Sequence, residues 1–136
     1  MGYLRPISLG ALLAVGHAPF NLWFLSFSAI CLCFLDIVKQ RKRSDIALYL
    51  MLLGMGYFIV TLNWIAEPFF VDFRSHAWIA PFAIFFMSVT MAFFWCAFSY
   101  VFAPFGARWA LLLGIATAEY FSCLLYTSPS PRDLST

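Results

Sequence analysis

The sequence predicts an all-α integral membrane protein of about five transmembrane helices, the first two forming a short hairpin, with no soluble domain. Of its 136 residues, 64% are apolar and 10% are charged, whereas soluble domains are about 45–50% apolar and about 25% charged. The 17 phenylalanines, five tryptophans and six tyrosines add more apolar surface than so few polar residues could cover in water. Lipid is therefore the predicted solvent. The net charge is only +2 and the basic residues are scattered between apolar runs, so the sequence predicts no nucleic-acid-binding surface.

Charges and Pro/Gly clusters divide the chain into five apolar runs, at about 7–20, 21–38, 46–66, 77–103 and 109–121. A membrane-spanning helix needs about 20 apolar residues at a rise of about 1.5 Å per residue. The third and fourth runs reach that length and the second nearly does, so these three are predicted to be spans from length alone.

The first two runs require a separate argument. Together they form a nearly charge-free stretch, residues 7–38, that is too long to cross a hydrocarbon core of about 30 Å as one helix. Pro19 disfavours helix at Ala18, and Asn21 is expected to cap a new helix that begins at Leu22. We therefore predict a short hairpin. A signal peptide over the first twenty residues is the alternative, and it is disfavoured because further spans follow.

Charge placement orients the predicted spans, because Lys and Arg in short loops stay on the cytoplasmic side. With the hairpin and a cytoplasmic N-terminus, Arg74 is the one basic residue outside. Six basic residues then lie inside: Arg5, Lys39, Arg41, Lys42, Arg43 and Arg108. The joint 67–76 faces outward in this arrangement.

Cysteine and histidine provide no candidate for catalysis or metal binding. Cys31 and Cys33 project about 200° apart on a helix, so they cannot hold one metal ion together. His17 and His76 lack the spacing of metal ligands. The sequence therefore predicts no metal, no cofactor and no catalytic residue in this chain.

Two acidic residues lie within predicted spans. Asp36 is near the end of the second run and is expected to pair with Lys39. Glu119 lies deep in the fifth run, where a carboxylate must face a protein interior or a wet cavity. The small residues Gly114 and Ala118 would let its helix pack closely against another and enclose the carboxylate.

Three further candidates, Asn63, Trp64 and Glu67, stand where the third run ends. An unpaired amide is unfavourable in lipid, so Asn63 is expected to bond across helices or to a lipid headgroup. The group fits two interpretations, an interfacial anchor for the helix or part of a binding site for a lipid substrate.

Several short segments resemble, in order, the N-terminal membrane region of bacterial apolipoprotein N-acyltransferases, especially the alphaproteobacterial forms. The segments are Ala18-Pro19-Phe20-Asn21-Leu22-Trp23, Leu62-Asn63-Trp64-Ile65-Ala66-Glu67, Phe70-Val71-Asp72 with Ala77-Trp78, and Ala118-Glu119-Tyr120-Phe121. The resemblance covers about residues 7–121.

This resemblance implies a multi-pass protein of the bacterial inner membrane, with its N-terminus cytoplasmic and the joint 67–76 periplasmic. The family moves an acyl chain from a phospholipid to the N-terminal diacylglyceryl-cysteine of lipoproteins, so the implied partners are this donor, this acceptor and the bilayer. Its catalytic Glu, Lys and Cys belong to a periplasmic nitrilase-like domain, and none can be assigned here. Residues 1–121 would be the membrane domain, with Asn63, Trp64, Glu67 and Glu119 on its lipid or substrate side.

The last residues differ from the rest of the chain. From Ser122 the sequence resembles translated sequencing-adapter read-through, so residues 122–136 are expected to be a non-native tail.

Two other interpretations of the function of the chain stay open. One is a fragment of a polytopic transporter with Glu119 as an ion or proton site, and the other is a small stand-alone membrane protein that binds a partner through small-residue helix faces.

Overall fold

The computed structural model describes residues 3–16, 21–63 and 78–126, with side chains as far as residue 121. Five α-helices and one short 3-10 turn, Ala103–Phe105, follow one another in these ranges. The helices are α1 (Leu4–Ala14), α2 (Trp23–Ile37), α3 (Arg43–Thr61), α4 (Ala80–Phe102) and α5 (Ala107–Tyr126). The described ranges contain no strand, and the prediction of an all-α fold is confirmed.

Among the described residues, two helical segments are long and apolar enough to cross a membrane, α3 and α4 with the turn that follows it. They comprise 19 and 26 residues, with mean hydropathies of 1.6 and 1.9. The helices α1 and α2 have 11 and 15 residues, or about 16 and 22 Å at 1.5 Å per residue. Because α2 is shorter than the predicted run 21–38, length alone does not establish it as a span.

The first two helices form the predicted hairpin. Near the turn, the Ser26 hydroxyl donates a hydrogen bond of 2.6 Å to the Leu13 carbonyl oxygen. At the opposite end, the Arg5 Nε atom lies 2.8 Å from Oδ2 of Asp36. Contacts at both ends make α1 and α2 antiparallel neighbours. Residues 17–20, which include the proline expected to break the helix, lie outside the described residues.

The predicted helix cap at Asn21 is wrong. Helix α2 begins at Trp23, with Leu22 at the N-cap position and no side-chain cap hydrogen bond. Asn21 instead adopts a φ of 52°, in the left-handed region that asparagine tolerates better than most other non-glycine residues. Its role is therefore conformational, because it lets the chain turn into α2.

Helix α3 lies between α1 and α4, α5 packs on α4, and α2 contacts both α1 and α5. Glycines bring α1 and α3 into backbone contact. A Cβ atom added at Gly10 would overlap the carbonyl oxygen of Leu53, and one at Gly56 would overlap that of Ile7. Small residues at such a contact let two helix backbones approach closely, which is the usual means of helix association in lipid.

Small residues also line the next two interfaces. A Cβ at Gly54 of α3 would lie 3.2 Å from the Cα of Ala92, and one at Gly114 of α5 would lie 3.0 Å from the Cα of Ser99. Ala118 is also buried. The small residues predicted to bring α5 close to another helix therefore do so, and the neighbour is α4.

Large apolar side chains cover the outside of the bundle. Those more than half exposed include Trp23, Phe27, Leu35, Phe86, Phe93, Trp109 and Tyr120. A soluble monomer rarely exposes so much contiguous apolar surface. This exterior is compatible with the predicted lipid environment.

Candidate functional site

A cavity of about 520 Å³ lies inside the bundle, and all five helices contribute to its wall. Its volume is in the range of about 300–1,000 Å³ that small-molecule sites occupy. The wall is mainly apolar and includes Leu13, Ile30, Phe34, Trp95, Ile115 and Glu119.

Glu119 is the one charged residue among those that line this cavity in the described part of the chain. Its Oε1 atom accepts a hydrogen bond of 3.0 Å from Nε1 of Trp95. Tyr57 of α3 lines the same cavity. As predicted, this carboxylate faces the interior of the bundle, where a donor from another helix compensates for the loss of water.

Two aromatic rings of α3 fix the position of Trp95. The Tyr57 ring stacks on the indole with centroids 5.4 Å apart and an interplanar angle of 25°. The Phe58 ring meets it edge-on at 5.2 Å and 65°. Such pairs contribute about 0.5–1.5 kcal/mol each beyond their buried area. The indole N–H is therefore held in one direction, toward Glu119.

The cavity opens sideways between α2 and α5, which touch only lightly. Ile30 and Leu112 both line it, yet they are 43% and 49% exposed. On α5 the lining extends from Leu111 to Glu119, about 12 Å along the helix axis at 1.5 Å per residue. The opening and the interior together form an apolar groove, called here the α2–α5 groove, with a carboxylate in its wall.

The structure describes two of the four predicted site residues. Asn63 is exposed just beyond the C-terminal end of α3, whereas Glu119 contacts Trp95 within the bundle. Trp64 and Glu67 lie outside the described residues. The described ranges therefore locate Asn63 and Glu119 but not the other two predicted residues.

Sequence reasoning missed Trp95, which donates a hydrogen bond to Glu119, and Tyr57, which stacks on Trp95. Both stand in helices rich in aromatic residues, where nothing local distinguishes a hydrogen-bond donor from a packing side chain. The signal that could have pointed to them is indirect. A carboxylate in an apolar helix needs a donor from another helix, and the amphipathic tryptophan and tyrosine are the candidates.

Asp36 behaves as predicted, because the Lys39 Nζ atom lies 3.2 Å from its Oδ1 atom. The cysteines of α2 lie on different faces, with Cys31 exposed and Cys33 buried. Within the described ranges, no three His, Cys, Asp or Glu side chains are grouped so that they could hold a metal ion. His17 and His76 lie outside those ranges.

Comparison with known proteins identifies relatives of this helical chain. The family model described as the apolipoprotein N-acyltransferase N-terminal domain matches residues 9–128. The apolipoprotein N-acyltransferase of Caulobacter vibrioides is 32% identical over 88 residues, which make up 63% of this chain and 17% of that protein. The one from Rhodopseudomonas palustris is 36% identical over 81 residues, 55% of this chain and 15% of that protein. The aligned segments therefore make up less than a fifth of each relative. No solved structure matches it significantly.

Proposed function

Because this chain belongs to the apolipoprotein N-acyltransferase N-terminal domain family, we propose that it forms the membrane-embedded part of such an enzyme. The enzyme would transfer an acyl chain from a phospholipid to the N-terminal diacylglyceryl-cysteine of a lipoprotein. The observation that carries this proposal is the family match over residues 9–128. Since the matched segments are 17% and 15% of the two relatives, the catalytic residues are expected outside them, in a periplasmic domain.

All five helices are proposed to lie in the bacterial inner membrane, with the N-terminus in the cytoplasm. The length and hydropathy of α3 and α4 support this arrangement. The positions of the basic residues support the orientation. Arg5 at the start of α1 and Lys39 just after α2 meet at Asp36, so these cations share one end of the bundle, the end that the positive-inside rule assigns to the cytoplasm. The joint 67–76 would then be periplasmic.

The α2–α5 groove is proposed to hold one acyl chain of a lipid. Its apolar wall and its lateral opening favour an extended apolar ligand that enters from the bilayer. Glu119 would act as a positioning residue, because its hydrogen bond fixes the indole of Trp95 in the groove wall. Asn63, Trp64 and Glu67 would lie on the substrate side, at the periplasmic end of α3.

A domain exchange tests the proposal. Residues 9–121 of this chain would replace the N-terminal domain of the Caulobacter vibrioides relative. Mass spectrometry of the N-terminal peptide of a reporter lipoprotein would then measure N-acylation. We expect N-acylated reporter. A chimera that reaches the membrane in normal amounts but leaves the reporter diacylated would contradict the proposed function.

The same chimera tests the outer residues. Asn63→Ala and Glu67→Ala are expected to lower acyl transfer without lowering the amount of protein in the membrane, because a substrate contact is lost while the helices remain. Unchanged transfer rates would remove these residues from the site. Trp78→Ala is the matched control, since Trp78 is an exposed residue preceding α4.

A further inference from the structure

A second cavity, of about 430 Å³, lies at the end of the bundle where α1 begins and α2 ends. It is separate from the α2–α5 groove, and the two share no lining residue. Its wall includes Tyr3 and Arg5 at the start of α1, Lys39 after α2, and Asp45, Leu48 and Leu52 of α3.

One buried carboxylate holds two cations at this cavity. The Arg5 Nε atom lies 2.8 Å from Oδ2 of Asp36, and the Lys39 Nζ atom lies 3.2 Å from its Oδ1 atom. The side chain of Asp36 is 8% exposed, whereas those of Arg5 and Lys39 are each 62% exposed. These two positive charges exceed the charge of Asp36 by one, and the carboxylate of Asp45, which also lines the cavity, offsets that excess. The guanidinium has five N–H donors and the ammonium three, so both retain donors beyond the contacts with Asp36.

The excess of positive charge comes from the residues around the cavity. Arg41, Lys42 and Arg43 are exposed and immediately precede or begin α3. Together with Arg5 and Lys39 they make five basic residues in or beside α1, α2 and α3, the helices that line the cavity. The acidic residues here are Asp36 and Asp45, so the group has a net charge of +3.

The cavity is polar at its mouth and apolar along α3. Leu48 and Leu52 are one helical turn apart and extend its wall away from the charged residues. Leu48 is also exposed on the outside of the bundle. An anion with an attached apolar chain would match both parts of this wall, whereas a free anion would contact only Arg5 and Lys39 at the charged mouth.

We propose that this second cavity binds the headgroup phosphate of an anionic phospholipid, with Arg5 and Lys39 as its ligands. The first part of an acyl chain would lie against Leu48 and Leu52. Basic pockets between helices at a membrane surface recognise anionic headgroups through the same combination of charge and adjoining apolar surface. The site requires only that the chain lies in a bilayer, and it does not depend on the acyl-transfer function.

Substitution of Asp45 tests the proposal in the opposite direction, because it is expected to strengthen lipid binding. Asp45 is exposed in the first turn of α3 and lines the same cavity. Its carboxylate repels a bound phosphate, so the Asp45→Asn variant should bind the lipid more tightly. A variant that gains binding cannot be explained by misfolding.

The experiment measures binding of defined lipids to the full chain, purified in a neutral detergent, by native mass spectrometry. The probes are dioleoylphosphatidylglycerol and dioleoylphosphatidylcholine, which share the same acyl chains. We expect the unmodified chain to bind the phosphatidylglycerol at least about fivefold more tightly than the phosphatidylcholine. The affinity for phosphatidylglycerol should fall about fivefold in Lys39→Gln and rise by a similar factor in Asp45→Asn, since one charge at a membrane surface is worth about 1 kcal/mol. Arg108→Gln is the control, because Arg108 is basic, exposed and not among the residues lining this cavity.

Three results would overturn the proposal. The first is equal affinity for the two lipids. The second is an effect of Arg108→Gln as large as that of Lys39→Gln, which would indicate only a general effect of positive charge. The third is full displacement of phosphatidylglycerol by millimolar inorganic phosphate, which would identify a site for free phosphate. Lys39→Gln leaves Asp36 paired with Arg5, and circular dichroism would verify that each variant is folded.

Discussion

At the residue scale, two carboxylates link pairs of helices. Asp36 joins the end of α2 to the start of α1 through Arg5, and Glu119 joins α5 to α4 through Trp95. A carboxylate in apolar surroundings is tolerated only when donors replace the water that it has lost. Each contact also fixes the position of one helix relative to another, which apolar packing alone does less specifically.

The sequence indicates which carboxylates need partners, but it identifies only the nearby ones. Lys39 could be predicted as a partner of Asp36 because residues three apart face each other on a helix. Trp95 could not, because 24 residues separate it from Glu119 and no local pattern relates the two. Arg5 was missed for the same reason, since it reaches Asp36 only after the hairpin has formed.

Substitution of Glu119 tests its role as a positioning residue. Glu119→Leu is expected to lower the free energy of unfolding by about 1–3 kcal/mol, because the buried Trp95 N–H loses its acceptor. Glu119→Gln retains an acceptor oxygen and should lose less. Unfolding in mixed micelles, followed by circular dichroism, measures both. Tyr120→Leu is the control, since Tyr120 is exposed on the same helix. Equal stability of Glu119→Leu and the unmodified chain would refute this role.

At the element scale, each predicted apolar run overlaps one helix, but the helix ends differ from those predicted. The helix at the predicted run 7–20 is Leu4–Ala14, and the helix at the predicted run 21–38 is Trp23–Ile37. The rules for helix ends depend on capping side chains, and helices α1–α4 have no side-chain cap hydrogen bond at their N-termini. Apolar periodicity therefore predicts that these helices exist, while turn geometry, as at Asn21, determines where they begin.

Glycine substitutions on α3 test how its two faces pack. Gly56→Ala is expected to be strongly destabilising, by about 1–3 kcal/mol, because the new Cβ would overlap the Ile7 carbonyl oxygen of α1, a backbone atom. Gly54→Ala is the matched comparison on the same helix. Its Cβ would meet Ala92 and Trp95 at 3.2 Å, a distance that small shifts relieve, and the higher helix propensity of alanine offsets part of the cost.

Thermal unfolding in detergent would rank the two variants. The expected order of melting temperature is the unmodified chain and Gly54→Ala close together, with Gly56→Ala well below both. If the two alanine variants melt at the same temperature, the close backbone contact of α1 with α3 is not the constraint described above.

At the scale of the whole molecule, five helices surround the α2–α5 groove and expose apolar side chains on the outside. The all-α class was predicted from the sequence and is confirmed, and the apolar exterior is compatible with the predicted lipid environment. The family was predicted from short motifs and is established by the match over residues 9–128. The groove could not be predicted, because its wall combines residues from all five helices and thus depends on the packing.

The measurement that tests this account most directly is the orientation of the bundle in the membrane. Lys42, between α2 and α3, and Trp78, before α4, should lie on opposite sides. Each would be replaced by cysteine in a chain whose native cysteines, Cys31, Cys33, Cys96 and Cys123, are alanine. The cysteine-free chain is the control and should take up no label.

In intact spheroplasts, a membrane-impermeant maleimide is expected to label the Trp78→Cys variant at once and the Lys42→Cys variant only after permeabilisation. This result would place the basic end of the bundle in the cytoplasm and the outer end of α3 where lipoproteins are modified. Labelling of both variants in intact spheroplasts, or of Lys42→Cys alone, would contradict the orientation on which the proposed acyl-transfer function rests.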